Sequence, residues 1–281
     1  MNLVKIFPSQ HLIPGFLINS LPKGGTHLLE KAVTLFPEIK SRYLHIGQST
    51  LAQFQKTDDL GAINIPIGVG FPNPVSLSSI QKCLHQLKNK KGCYATAHIP
   101  FSEVLANLIN GMDIKSLLIL RDPRDVVISH ANYIIRTPSH FLCEYYQTLS
   151  ESERIMKSIT GLESEEWNLL NIYNRYQSVL RWSEQSFNYT TYFESLVGTQ
   201  GGGSRDAQIQ ELKNITHHLG IKSDSKEINQ IADKVFGGTA TFSKGAIGNW
   251  QNHFSIQHKE AFKELAGEML IQLRYETDLN W

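Results

Sequence analysis

The chain is 281 residues long, with 27 Lys and Arg against 26 Asp and Glu, a formal net charge of +1. Hydrophobic residues make up 41% and charged residues 19%. That balance excludes disordered and fibrous chains and supplies a core without the help of disulfides. The small net charge argues against a basic nucleic-acid-binding coat. The 3 cysteines form no CxxC pair, which argues against a disulfide framework or a thiolate zinc site.

No apolar run approaches the ~20 residues of a membrane span. The first fifteen residues lack the apolar stretch of a secretion signal. The expectation is a cytoplasmic chain with no nucleic-acid partner and no membrane span.

In chain order, the apolar run at 15–19 predicts a buried strand. Turn residues follow. From Thr26 onward Leu28, Leu29, Ala32, Val33 and Phe36 recur at helical spacing until Pro37 stops them. Residues 40–75 are broken by prolines and glycines and read as loops around one short apolar stretch. A helix is predicted over 78–88, a strand over 92–97 and a helix over 101–109. A second buried strand covers 116–120 and leads into a helix carrying Val126, Val127 and Ile128. A further strand covers 189–193. Strands alternating with helices predict a central parallel sheet flanked by helices.

The C-terminal half reads as helix-rich, with stripes over 165–182, 208–219, 227–236 and 256–273. Gly201-Gly-Gly-Ser204 reads as a flexible loop or hairpin tip. No internal repeat or linker divides the chain, so a single domain over 1–281 is expected.

Four segments carry chemistry. In Leu21-Pro-Lys-Gly-Gly-Thr-His27 a glycine turn opens a helix. Free backbone N–H groups at such a helix start favour an anion, and Lys23 adds a point charge. The nucleotide-triphosphatase loop has its Lys after the last glycine, whereas Lys23 precedes Gly24 and Gly25. In Leu118-Ile-Leu-Arg-Asp-Pro-Arg-Asp125, Arg121 emerges from the C-terminal end of a buried strand, where α/β sheets bind ligands. Its planar fork suits a phosphate, and Ser129 lies about two helical turns beyond. His98 ends another strand on the same edge, and histidine titrates near neutrality. The last segment, Thr241 to Phe254, holds Lys244 and Gly245 before the final helix.

Taken together and in this order, the segments resemble the PAPS-dependent sulfotransferases, cytosolic and bacterial, where PAPS is 3′-phosphoadenosine 5′-phosphosulfate. Pro22-Lys-Gly-Gly-Thr-His-Leu28 resembles the family's PKSGTTW loop, and His98-Ile-Pro100 its HLP segment. Arg121 and Ser129 match the R…S spacing, and Phe193-Glu-Ser195 resembles the YED strand end. Ser243-Lys-Gly-Ala-Ile-Gly-Asn-Trp-Gln-Asn-His-Phe254 echoes RKGxxGDWKNHF. The resemblance spans residues 15–260 and implies a P-loop NTPase-like sulfotransferase fold.

The resemblance also implies roles. Lys23, Gly24, Gly25, Thr26 and His27 would hold the 5′-phosphosulfate, with Lys23 stabilising the leaving phosphate. Arg121, Ser129, Ser243, Lys244 and Gly245 would face the 3′-phosphate. Leu28 and Phe193 would flank the adenine, and His98 would be the general base. The product would be 3′-phosphoadenosine 5′-phosphate (PAP), and no metal would be required. The acceptor would be a small molecule, apolar or phenolic in keeping with Phe141, Tyr145, Tyr146 and Leu149 in a segment, 137–161, that could close as a lid.

Several positions depart from the pattern. Gly24 stands for Ser, His27 for Thr, Leu28 for Trp, Thr96 for Lys, Ser195 for Asp and Ser243 for Arg. Two other readings remain at this level. A P-loop small-molecule kinase would use ATP and Mg²⁺. A catalytically silent nucleotide-binding module would fit the Ser243 and Leu28 departures.

Overall fold

The computed structural model describes residues 13–47, 62–66, 72–164, 168–237 and 245–281. Strand β1 (Phe16–Ser20) turns into helix α1 (Thr26–Thr34), which returns to β2 (Ser41–Ile46). An antiparallel hairpin of β3 (Ala62–Pro66) and β4 (Pro72–Ser76) precedes α2 (Leu77–Asn89), β5 (Cys93–Ala97), α3 (Glu103–Gly111) and β6 (Ser116–Leu120). Then follow α4 (Pro123–Arg136), α5 (Cys143–Thr148), α6 (Glu151–Thr160) and a two-residue pairing of β7 (Leu162–Glu163) with β8 (Asn168–Leu169). Helix α7 (Ile172–Leu180), β9 (Asn188–Tyr192), α8 (Phe193–Leu196), α9 (Arg205–Leu219), α10 (Ser225–Ala232) and α11 (Ile256–Gln272) complete the order.

Five strands form one sheet in the order β2-β5-β1-β6-β9, every pair parallel. The inner strands β1 and β6 are buried at every residue, as continuous apolar runs covered on both faces must be. Each such Leu or Ile contributes about 1.5–3 kcal/mol of transfer free energy. Alternation splits their side chains between two cores. Phe16, Ile18, Leu117 and Ile119 pack with α1, α9 and α10. Leu17, Leu118 and Leu120 pack with α2, α3, α4, α7 and α11.

This division positions the site. The chain leaves β1 for a helix on one face and leaves β6, the neighbouring strand, for a helix on the other. A crevice opens between such strands at their C-terminal ends. The register levels those ends: Asn19 lies opposite Ala97, Ser20 opposite Ile119, and Leu120 opposite Tyr192. Lys23, His98, Arg121 and Phe193 therefore emerge along one edge.

Three sequence expectations change. Residues 40–75 are not only loop. Strand β2 edges the sheet with exposed or half-buried positions up to Ile46, so it lacks a buried run's apolar signature. The β3–β4 hairpin carries Pro66, Pro72 and Pro74, tolerated where a strand N–H has no partner to meet. The helix expected over 165–182 begins at Ile172. Gly161, at φ 82, lies so close to the returning chain that a Cβ would fall 2.4 Å from the Leu169 carbonyl. The Asn171 side chain then accepts the Asn174 N–H at 2.8 Å and caps α7.

The 201–204 segment is no hairpin tip. Gly201 is buried, its carbonyl accepts the Ile247 N–H at 3.0 Å, and a Cβ there would fall 2.7 Å from the Gly245 carbonyl. In the 137–161 segment Leu142 and Tyr146 are core residues, which is the packing of a helical insertion.

Candidate functional site

The turn after β1 is built for close approach. Lys23 takes a left-handed backbone at φ 69, and Gly25 lies at φ 111. A Cβ on Gly25 would fall 2.9 Å from Ile119 and 3.1 Å from the Phe193 ring, so only glycine fits. The Gly24 N–H donates to the Leu21 carbonyl at 2.9 Å. The amides of Gly25, Thr26 and His27 donate to nothing among the described residues. Helix α1 also lacks a side-chain N-cap. These three donors, with the positive end of the helix, form an anion cradle. The Thr26 hydroxyl lies 2.5 Å from that of Ser20.

His98 is held in one tautomer. Its Nδ1 lies 2.9 Å from the Ser20 carbonyl, which can only accept, so Nδ1 carries the proton and Nε2 the lone pair. Burial pushes the imidazole pKa down to about 4, and the nearby His45, His27 and Lys23 push in the same direction. The ring is neutral at pH 7 and its Nε2 can take a proton.

The backbone after His98 is clamped. The Asn19 amide donates to the Ile99 carbonyl and accepts the Ile99 N–H, both at 2.9 Å, and the Trp182 indole donates to the same carbonyl at 2.9 Å. Sequence reasoning missed Asn19. The available signal was an amide inside an otherwise apolar central strand, which must find partners when buried. His45 was missed as well. It meets His98 edge-on at 5.3 Å between ring centroids, and its Nδ1 is 2.9 Å from the Thr96 hydroxyl.

At the other end, Arg121 donates to the Ala246 carbonyl at 3.0 Å and lies 3.7 Å from the Asp125 carboxylate. Its guanidinium stacks on Phe193, 4.2 Å from the ring centroid. Asp125 also accepts the N–H groups of Gly248 and Trp250, each at 2.9 Å. It thereby ties the C-terminal loop to α4. Burial raises the Asp125 pKa, while Arg121 opposes that shift. The Nε of Arg121 is buried without a partner among the described residues. A buried guanidinium with an unmet donor fits an anion.

Between the two ends, the Lys23 ammonium lies 4.4 Å over the Tyr133 ring. Burial, then Arg121, lowers its pKa.

One crevice of about 840 Å³ joins these groups. Of the sequence candidates, Lys23, Gly25, Thr26, His27 and Leu28 line it from the first turn; His98, Arg121, Ser129, Phe193 and Gly245 line it from elsewhere. Gly24 does not line it, because its amide is spent on closing the turn. Ser243 and Lys244 lie outside the described residues. Lining residues not singled out from sequence include Arg42, His45, Asp125, Tyr133, Arg136 and His140. Among the described residues no cluster of three His, Cys, Asp or Glu side chains could hold a metal ion, and no helix is long and apolar enough to cross a membrane.

No family model matches the chain, and no curated protein matches it significantly. Solved structures do. A mouse sulfotransferase complexed with PAP aligns with a TM-score of 0.60 at 17% identity, over 92% of this chain and 84% of that one. A retinol dehydratase in complex with androsterone and the inactive cofactor PAP aligns with a TM-score of 0.57 at 13% identity, over 91% and 80%. The chain has the sulfotransferase fold: a central parallel sheet flanked by helices.

Proposed function

We propose that this chain is an enzyme transferring the sulfuryl group of PAPS to a hydroxyl or amine of a small-molecule acceptor. The observation that carries the reading is the convergence of Lys23, His98 and the under-bonded Arg121 on one crevice at the C-terminal edge of the sheet.

The residues fit the donor. The free amides of Gly25, Thr26 and His27, with Lys23, suit the 5′-phosphosulfate. Arg121 and Ser129 suit the 3′-phosphate, and Gly245 lines the crevice with them. Phe193 and Leu28 offer apolar surface for the adenine. When bound, the donor supplies a sulfuryl group activated by its link to phosphate.

The chain's own groups then divide the work. Nε2 of His98 takes the proton of the acceptor hydroxyl as that oxygen forms its bond to sulfur. General-base assistance of this kind contributes about 10²–10⁴-fold. The Lys23 ammonium neutralises charge gathering on the phosphate oxygen as its bond to sulfur breaks. A sulfuryl group carries less negative charge than a phosphoryl group, which removes the chief need for the bridging Mg²⁺ of kinases.

Thermal unfolding with added ligand tests the reading. PAP at a hundred times its Kd adds about 2.7 kcal/mol of stability. Stabilisation by MgATP in place of PAP favours a P-loop kinase. Stabilisation by neither, with no label transferred from PAPS to an acceptor mixture, leaves a silent module. The His98→Ala variant is expected to keep PAP binding and lose turnover.

A further inference from the structure

The crevice has two chemically different halves, and α4 runs along both. Asp125, Ser129, Asn132, Tyr133 and Arg136 line it, and their three- and four-residue steps set them on one stripe of the helix. From Ser129 to Arg136 the helix rises about 10 Å. The N-terminal half of this stripe faces Arg121 and the apolar group Phe193, Val197 and Val235.

The other half begins where Lys23 crosses Tyr133. There Tyr133 meets His140 at 5.8 Å between ring centroids, and Arg136 and Thr137 extend the wall. Lys23 is also within electrostatic range of His98, which brings His45 and Thr96 with it. Arg42 completes this rim. The apolar surface on this half is aromatic: the Tyr133 ring and His140, the latter stacked on Phe141 at 4.8 Å.

The cations of this half outnumber its carboxylates: Lys23, Arg42 and Arg136 stand against Glu30. Arg136 has no carboxylate partner among the described residues. The carboxylate beside Arg42 belongs to Glu30, 3.5 Å away, and Glu30 is also bonded to His27 at 3.0 Å. An apolar acceptor would strip water from these polar groups without replacing their hydrogen bonds.

We infer that the acceptor is a hydroxylated anion, a sugar- or polyol-like molecule bearing a carboxylate or sulfate. Arg136 binds its negative charge while the target hydroxyl meets His98. The inference deepens the transfer reading above and rests on it. It departs from the apolar or phenolic acceptor expected from Phe141, Tyr145, Tyr146 and Leu149, of which Tyr146 is spent on the core.

Three matched probes test it: 4-nitrophenyl glucuronide, 4-nitrophenyl glucoside and 4-nitrophenol. Each is titrated calorimetrically into the PAP-saturated chain and assayed for label transfer from PAPS. The glucuronide is expected to bind at least tenfold more tightly than the glucoside, and both more tightly than the phenol. Arg136→Gln is expected to weaken glucuronide binding about tenfold while the Kd for PAP stays within twofold. Tightest binding by the phenol, or an unchanged glucuronide-to-glucoside ratio in Arg136→Gln, overturns the inference and leaves the transfer reading standing. Failure of PAP itself to bind removes the transfer reading, and the acceptor class falls with it.

Discussion

At the scale of single residues, His98 makes the sharpest commitment. Its pKa near 4 follows mainly from burial, and free-enzyme ionisations govern kcat/KM. The rate should therefore be flat from about pH 5.5 to 7.5, with an acid limb near 4 in place of one near 6.5. A limb near 6.5 would mean that the imidazole is solvated in the working enzyme. Asn19 acts through His98 and is a positioning residue. Asn19→Ala leaves the Ile99 N–H unpaired and the carbonyl with Trp182 alone, at a cost of about 1–3 kcal/mol. The expected signature is a fall in kcat of about tenfold or more and a displaced acid limb, with PAP affinity unchanged. Loss of stability with an unaltered pH profile would make Asn19 merely structural. The contrast between the two residues explains what could be read early. His98 and Arg121 follow apolar runs, and a strand end needs only local pattern to be found. The Ile99 partner of Asn19 and the loop N–H partners of Asp125 lie about 80 and 125 residues away, so nothing local announced them.

At the scale of elements, the central strands were legible, and so was the edge strand β9 to within a residue, whereas the edge strand β2 was not. The run Ser116–Leu120 was read to the residue because both of its faces are covered. Strand β2 was missed because Ser41, Arg42 and His45 interrupt it, whereas β9, half-buried as well, carries the β-favouring Tyr189-Thr-Thr-Tyr192. The misread start of α7 has a different cause. Leu170 and Tyr173 belong to the helical stripe in sequence, yet both remain exposed at 39% and 38%. Spacing alone could not reveal that the Asn171 cap cuts the stripe. The β1–α1 turn was found from its glycines, and their division of labour came only with the fold: Gly24 closes the turn, and Gly25 opens the cradle. A Gly25→Ala variant therefore makes a clean test. Its backbone must stay at φ 111 with a Cβ 2.9 Å from Ile119, a strain of about 1–3 kcal/mol. Calorimetry should find PAP binding abolished or weakened more than tenfold, with far-ultraviolet circular dichroism unchanged. PAP affinity matching that of the parent chain would remove the turn from the binding site.

At the scale of the whole molecule, the N-terminal crevice and the C-terminal end of the chain are joined through Glu194. One of its oxygens accepts the Asp122 N–H at 2.8 Å and the other accepts the Tyr275 hydroxyl at 3.1 Å. It thus links the residue after Arg121 to the segment beyond α11. Burial pushes its carboxyl pKa up to about 7 and neighbouring Asp122 adds to the rise, while the Asp122 N–H and Arg121 oppose it. In the unfolded chain the same group titrates near 4.5. Between those values the folded state holds a proton that the unfolded state has released, so this group's contribution to stability is full below about 4.5 and is lost as pH rises through 7. His98 has the opposite sign. Its lowered pKa makes the folded state bind fewer protons than the unfolded chain between about 4 and 6.5, so it adds stability as pH rises. A bare melting curve sums both. Comparing the parent chain with Glu194→Gln isolates the carboxyl: the amide cannot ionise, so the variant's melting temperature should gain on the parent's from pH 5 to about pH 7 and level off above it. A constant difference across that range would mean that Glu194 is ionised throughout, and that Arg121 and the Asp122 N–H outweigh the cost of its burial.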